Sequence, residues 1–97
     1  MARTLHVIAR VRAKAGKEEA LKAALSSLIA PSRREVACHQ YDLLQNIADP
    51  RDFCFVERWD GERGLDAHAA SEHVTRVGAA IADLVDVPPD VQRFNQV

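Results

Sequence analysis

Glu57, Trp59 and His68 fall in one short stretch, Phe53 to His73, which reads Phe-Cys-Phe-Val-Glu-Arg-Trp-Asp-Gly-Glu-Arg-Gly-Leu-Asp-Ala-His-Ala-Ala-Ser-Glu-His. An imidazole with an ordinary pKa near ~6.5 can take a phenolic proton at neutral pH, so His68 is the leading candidate base. Its bland alternative is a ring that caps or packs a helix. Glu57 stands between Phe55 and Trp59 on an otherwise apolar strand face. A carboxylate buried there must pair, most simply with an arginine of a neighbouring strand, or carry a raised pKa. The ion pair is the favoured alternative, ahead of acid–base work. Trp59 and Phe55 could wall a planar substrate or serve only as core. Tyr41 and His39 share one side of another strand, from which they could donate hydrogen bonds to a substrate oxygen or lie at a dimer interface.

The elements that must position these groups follow from periodicity. Residues Phe53 to Trp59 alternate, with Phe53, Phe55, Glu57 and Trp59 on one side and Cys54, Val56 and Arg58 on the other, which predicts a strand covered on both faces. Asp60-Gly61 ends it, and Glu62 to Ala70 reads as a short helix anchored by Leu65 and carrying His68. Thr4 to Arg12 alternates in the same way and is the first strand. Lys17 to Ile29 has Ala20, Leu21, Ala24, Leu25, Leu28 and Ile29 at helical spacing. Pro31 should stop or kink that helix at Ala30, with Ser32 capping a further turn through Glu35. Val36 to Ile47 is the second strand, joined to the third by the turn Ala48 to Asp52. Ser71 should cap a last helix whose Val74, Val77, Ile81, Leu84 and Val85 share a face until Pro88-Pro89. Val91 to Val97 is the final strand.

The order β-α-β-β-α-β is the ferredoxin-like α+β arrangement, an antiparallel sheet with two helices on one face. Large side chains on the other face then need a cover. Each one removed from water contributes roughly 1.5 to 3 kcal/mol, so a homodimer pairing the open faces is expected.

Length and charge narrow the function classes. A chain of 97 residues is read as one domain spanning 1–97. Its 13 Lys and Arg against 14 Asp and Glu leave a net charge of -1, which argues against a nucleic-acid partner. No run is apolar for long enough to span a bilayer, and Met1-Ala2-Arg3-Thr4 opens directly into the first strand, so a cytoplasmic protein without a membrane partner is expected. Cys38 and Cys54 are expected to be reduced thiols. There is no C-x-x-C or H-E-x-x-H, and His68 and His73 are not an i, i+4 pair, so no metal is expected.

The spaced anchors Phe53-x-Phe55-x-Glu57-x-Trp59 and Leu65-x-x-His68-x-x-Ser71-x-His73 resemble the antibiotic biosynthesis monooxygenase family. Pro31-x-Arg33-x-Glu35-x-x-Cys38-x-x-Tyr41 and Asp49-Pro50 before Phe53 are similar to further family segments, with Ala37 where the family normally has Gly. The resemblance implies two subunits pairing their sheets into a dimeric α+β barrel, each with a pocket between sheet and helices. It also implies oxidation of a small aromatic substrate, a quinol, anthrone or polyketide phenol, by O2 with no cofactor. Within the family, haem-degrading members use an Asn and an iron-ligating His where this chain has Ala9 and Gly78, and a relative isomerises a phosphorylated sugar-like metabolite. The expectation drawn is therefore a cofactor-independent monooxygenase, with His68 and Glu57 catalytic and Trp59, Tyr41, His39 and Phe55 binding substrate. The alternatives are an isomerase, which would need Arg10, Arg12 or Arg58 to face the pocket, and a non-enzymatic dimeric binding domain. The latter predicts a cavity collapsed onto Trp59 and Tyr41, with His68 bonded to backbone.

Overall fold

The computed structural model describes residues 3–97. Met1 and Ala2, part of what the sequence suggests about the chain start, lie outside them. Four strands, β1 (Thr4–Arg12), β2 (Cys38–Gln45), β3 (Asp52–Asp60) and β4 (Asp90–Phe94), form one antiparallel sheet in the order β2-β3-β1-β4. Between them run α1 (Glu18–Ser26), α2 (Ile29–Arg33), α3 (Gly61–Ala69) and α4 (Glu72–Ile81). This is the expected ferredoxin-like α+β architecture. No helix among the described residues is long and apolar enough to cross a membrane.

Alternation in β1 and β3 sets the layers. Leu5, Val7, Ala9 and Val11 of β1 and Phe53, Phe55, Glu57 and Trp59 of β3 are buried on one face. Leu21, Leu25, Leu28, Leu65, Val77 and Ile81 cover them from the helices. The other face carries Ile8, Leu44 and Phe94, which are 38%, 53% and 48% exposed in the single chain.

Several boundaries differ from the sequence reading, each for a local reason. The first helix breaks at Ser27-Leu28, before Pro31, where the Ser27 hydroxyl donates to the Ala24 carbonyl at 2.6 Å. Pro31 then sits inside the first turn of α2, where a missing N–H costs no intrahelical bond. Ser32 does not cap a further turn; it is fully buried in α2. α4 ends at Ile81, well before Pro88, because the following backbone is recruited to the end of β1. Lys14 N–H donates to the Leu84 carbonyl (2.8 Å), Asp86 N–H donates to the Arg12 carbonyl (2.9 Å), and Val85 bridges Ala13. β4 spans Asp90–Phe94, shorter than the expected Val91 to Val97.

The turn from β3 into α3 uses Gly61 at φ 79, a left-handed conformation that suits glycine. One turn later Gly64 meets the segment before β2 so closely that an added Cβ would lie 2.7 Å from the Ala37 methyl. Ala37, at the position where the family normally has Gly, keeps ordinary backbone geometry. Its methyl occupies the space that Gly64 leaves open.

Gly64→Ala should therefore destabilise the fold by about 1–3 kcal/mol through overpacking, and adding Ala37→Gly should recover part of the loss. Urea unfolding of the two variants checks this. Equal destabilisation with and without Ala37→Gly would show that the contact is not the cause.

Candidate active site

A cavity of about 370 Å³ lies between the buried sheet face and the helices. Its wall is mostly apolar, with Val11, Leu28, Leu65, Val77 and Ile81 contributing from β1, α3, α4 and the α1–α2 junction. Tyr41, Phe55, Glu57 and His68 also line it, and so do the small residues Ala9 and Gly78. Arg93 stands at its β4 side, bonded to Glu62 (3.0 Å) and Asp66 (3.1 Å) of α3. A wider surface depression of about 760 Å³ runs past Arg3, Asp60 and Arg63, but its charged groups are all exposed and so remain hydrated. The apolar cavity is the better candidate, because it joins an apolar wall to a few convergent polar atoms.

Glu57 is only 4% exposed. No arginine reaches it, contrary to the favoured sequence expectation. Arg10 pairs with Asp52 (2.9 Å), Arg12 with Asp49 (2.6 Å), and Arg58 bonds Gln40 (2.7 Å). Glu57 instead accepts one hydrogen bond at Oε1 from the indole N–H of Trp59, two residues on along the same strand face, at 2.8 Å. One neutral donor does not replace the water lost on burial. Burial therefore pushes the Glu57 carboxyl up to about 7, with the Trp59 bond opposing and the negative field of Glu35 adding to the rise.

His68 packs its ring against Trp59 at a centroid distance of 4.5 Å and against the edge of Tyr41 at 5.3 Å. Its Nδ1 lies 2.7 Å from Glu35 Oε2, and Nε2 of His73 lies 2.8 Å from that same oxygen. Burial holds the His68 pKa below its ordinary value, although Glu35 pulls the other way, so the ring is suited to act as a neutral base. Tyr41 is pushed well up, first by burial and then by the Glu57 field, so its phenol is a donor rather than a base. Ser32 Oγ is the sole fully buried side-chain polar atom among the described residues left without a hydrogen bond. The Tyr41 hydroxyl, the second oxygen of Glu57 and His68 Nε2 have no protein partner either, and none of them is fully buried. These atoms are the ones available to a ligand.

Four of the six sequence-predicted residues, His68, Glu57, Tyr41 and Phe55, line the cavity. Trp59 does not; it is fully buried behind His68 and Glu57 and serves both rather than touching the space. His39 does not either. A register shift between Cys38 and Gln40 bulges β2, and His39 is exposed there instead of lying beside Tyr41. The sequence reading missed Glu35 and His73, although both stand in motifs it had singled out. Local bonds explain those motifs. Arg33 fastens α2 to β2 through the Tyr41 carbonyl (3.0 Å) and Asp42 (3.0 Å). The Ser71 hydroxyl donates to the His68 carbonyl (2.6 Å) and accepts from Val74 N–H (3.4 Å), closing α3 and capping α4.

Glu35, His68 and His73 are also a possible metal-ligand set, their ligand atoms all lying within 4.8 Å of one another. The two nitrogen–oxygen separations of 2.7 and 2.8 Å are hydrogen-bond lengths. They are shorter than the spread of about 3.3 Å that tetrahedral ligands 2.0–2.1 Å from zinc adopt. The trio in this arrangement suits shared protons better than an ion. Cys38 and Cys54 are free thiols, both partly buried.

A ferredoxin-like sheet with a carboxyl, an imidazole and a phenol converging on an apolar cavity defines a small α+β protein with its candidate site between sheet and helices. The chain belongs to the antibiotic biosynthesis monooxygenase family, whose match covers residues 4–80. It is 34% identical over 82 residues to "Putative monooxygenase Rv0793" of Mycobacterium tuberculosis, covering 84% of this chain and 80% of that protein. Among solved structures it is similar to PA3566 from Pseudomonas aeruginosa, with a TM-score of 0.94, 33% identity, and 100% and 97% of the two chains covered. A protein from Shewanella oneidensis, SO0527, gives a TM-score of 0.92 at 32% identity, covering 99% of this chain and 93% of that one.

The environment of Glu57 has a consequence for stability. Its folded pKa of about 7 exceeds the ordinary 4.5, so its contribution is full below about pH 4.5 and declines as pH rises to about 7. Glu57→Gln keeps an acceptor for Trp59 without the charge. Over that pH range its unfolding free energy should gain on the wild type by about 1–3 kcal/mol, read from denaturant titrations at several pH values. A difference that does not change with pH would show that burial leaves Glu57 unshifted.

Proposed function

We propose that the protein is a cofactor-independent monooxygenase that oxidises a small aromatic quinol, anthrone or polyketide phenol with O2. The observation that carries this reading is the pairing, in one apolar cavity, of a neutral imidazole with a carboxyl whose pKa lies near neutrality. Family membership and the names of relatives support the monooxygenase class. In the reaction, His68 Nε2 takes a proton from the bound phenol or enol. The resulting anion gives one electron to O2, and the radical and superoxide recombine at carbon as a peroxide. Breakage of the O–O bond with loss of the carbon-bound proton leaves the new carbonyl and one water, so both atoms of O2 are accounted for. Tyr41 donates to the developing oxyanion, and Glu57, protonated below about pH 7, supplies the proton that lets hydroxide leave as water. Phe55 offers a face for the ring.

The same acid and base also suit transfer of a proton between carbonyl and enol forms, an isomerase reaction. The arginines which that alternative called on for a phosphorylated substrate are engaged elsewhere, and the arginine that does line the cavity, Arg93, is itself paired with Glu62 and Asp66. The non-enzymatic reading expected a collapsed space and a backbone-bonded His68. An open cavity and the Glu35 bond weigh against it.

Oxygen uptake with a panel of quinols and anthrones, measured against autoxidation, tests the proposal. Protein-dependent uptake should fall about 10²-fold or more in His68→Ala, the scale of a lost general base. Uptake that is absent with every substrate, while a carbonyl compound exchanges its enolisable hydrogen with solvent deuterium, would replace the oxygenase by the isomerase.

We also propose that two copies pair through the open sheet face, where Ile8, Leu44 and Phe94 are exposed. Sedimentation of the wild type should give a dimer, and Ile8→Asp with Leu44→Asp should give a folded monomer, since charge on this face disrupts only pairing. A wild-type monomer at micromolar concentration would refute it.

A further inference from the structure

His68 can act as a base toward the cavity only if its unprotonated nitrogen is the one that faces it. An imidazole in a helix is free to turn over or change tautomer unless its surroundings forbid both. Here the plane of the ring is set by Trp59, which lies 4.5 Å away with a 36° tilt, and by the edge of Tyr41. The direction of the ring within that plane is set by Glu35. The backbone that carries this carboxylate is itself held on both sides. The Glu35 backbone N–H donates to the Ser32 carbonyl (3.1 Å), its backbone carbonyl accepts from Cys38 N–H (3.0 Å), and Arg33 two residues earlier is clamped to β2. A carboxylate only accepts, so Nδ1 of His68 must carry the hydrogen in the 2.7 Å bond.

His73 adds a second consequence. Its Nε2 reaches the same Oε2 at 2.8 Å from the first turn of α4, and its side chain is 16% exposed against 8% for His68. The other nitrogen of His73 has no protein partner and is not fully buried. Because the carboxylate only accepts, Nε2 of His73 also carries its hydrogen, and Oε2 of Glu35 receives one N–H from α3 and one from α4.

We propose that Glu35 is the positioning residue of this site, fixing His68 as the Nδ1–H tautomer with Nε2 turned to the cavity, and that His73 serves as the second donor that holds Glu35 in place. The proposal rests on the reading of His68 as the base. It concerns the state of the ring before any substrate binds, so it can fail or stand independently of the oxygenase activity. On catalysis, the Glu35 carboxylate stabilises the imidazolium that forms when Nε2 takes the substrate proton, while Nδ1 keeps its hydrogen in the bond to Oε2.

The test is long-range 1H–15N correlation spectroscopy of the histidine rings in the full-length 15N-labelled protein, at a pH where the rings are neutral. The wild type should show His68 protonated at Nδ1 and unprotonated at Nε2; the reverse tautomer overturns the proposal with no substitution needed. In Glu35→Gln, whose amide can donate as well as accept, the tautomer ratio should fall by about tenfold or more, the scale of a lost charge-assisted bond. An unchanged ratio in a folded Glu35→Gln protein would make Glu35 a packing residue only. In His73→Phe, which removes only the second donor to Glu35, the His68 tautomer should persist; a reversed tautomer with Glu35 intact would show that Glu35 does not set it. Loss of oxygen uptake in the wild type would bear on the proposed reaction and not on these spectra.

Discussion

One oxygen atom, Oε2 of Glu35, joins three segments that are remote in sequence. The turn between α2 and β2 supplies the carboxylate, α3 supplies His68, and the first turn of α4 supplies His73. Both bonds are charge-assisted and partly screened from water, the setting in which a hydrogen bond is worth most and an orphaned partner costs most. Close by, α3 approaches the segment before β2 so tightly that a Cβ added at Gly64 would lie 2.7 Å from the Ala37 methyl. Both helices that roof the cavity are therefore tied, directly or through their shared junction at Ser71, to the same anchor.

The two carboxyl groups of the site, Glu35 and Glu57, show how environment divides labour among like residues. Glu35 receives two imidazole N–H bonds and faces partial solvent, while Glu57 receives a single indole N–H inside an apolar wall. Desolvation outweighs one neutral hydrogen bond, so Glu57 stays protonated up to about pH 7, whereas burial keeps His68 neutral. A neutral acid and a neutral base coexist at the same pH only when their surroundings push their pKa values toward each other. That is the condition for moving protons in both directions without a large barrier to either. Trp59 is central to this arrangement although it does not line the cavity. Its indole nitrogen moderates Glu57 and its ring face supports His68.

Most of the fold was legible because period-2 alternation in Thr4–Arg12 and Phe53–Trp59 needs no tertiary information: a strand with one covered face reveals that face in its sequence. The same rule misplaced His39, since a bulge inserts one residue and turns every side chain before it to the other face. Nothing in His39-Gln40-Tyr41 announces a bulge. The end of α4 was misjudged for a related reason. Val85 fits the helical stripe, but its backbone is worth more bridging Ala13 than extending a helix that already buries Val77 and Ile81. In the site, Glu57 and His68 were found because their residue types are anomalous in apolar surroundings. Glu35 and His73 were not, because an exposed-looking Glu before a strand and a His at a helix start are unremarkable until the chain folds.

What the cavity admits depends on residues with almost no chemistry. Ala9 and Gly78 both lie on its wall, and a Cβ at Gly78 would meet nothing within 4 Å. The space beside them exists because those side chains are short, not because the backbone is held apart. A cavity of about 370 Å³ with an apolar lining is suited to a fused aromatic ring system, and its few polar atoms are grouped on the β2–β3–α3 side. A planar phenol seated there would place its oxygen among Tyr41, Glu57 and His68 and its apolar edge toward α4. Acid–base residues that serve a proton transfer serve a one-electron transfer to O2 equally well, since in both the costly step is forming the anion. On the proposed reading, the reaction is then decided by the substrate: an anion electron-rich enough to reduce O2 is oxidised, and one that is not is merely reprotonated.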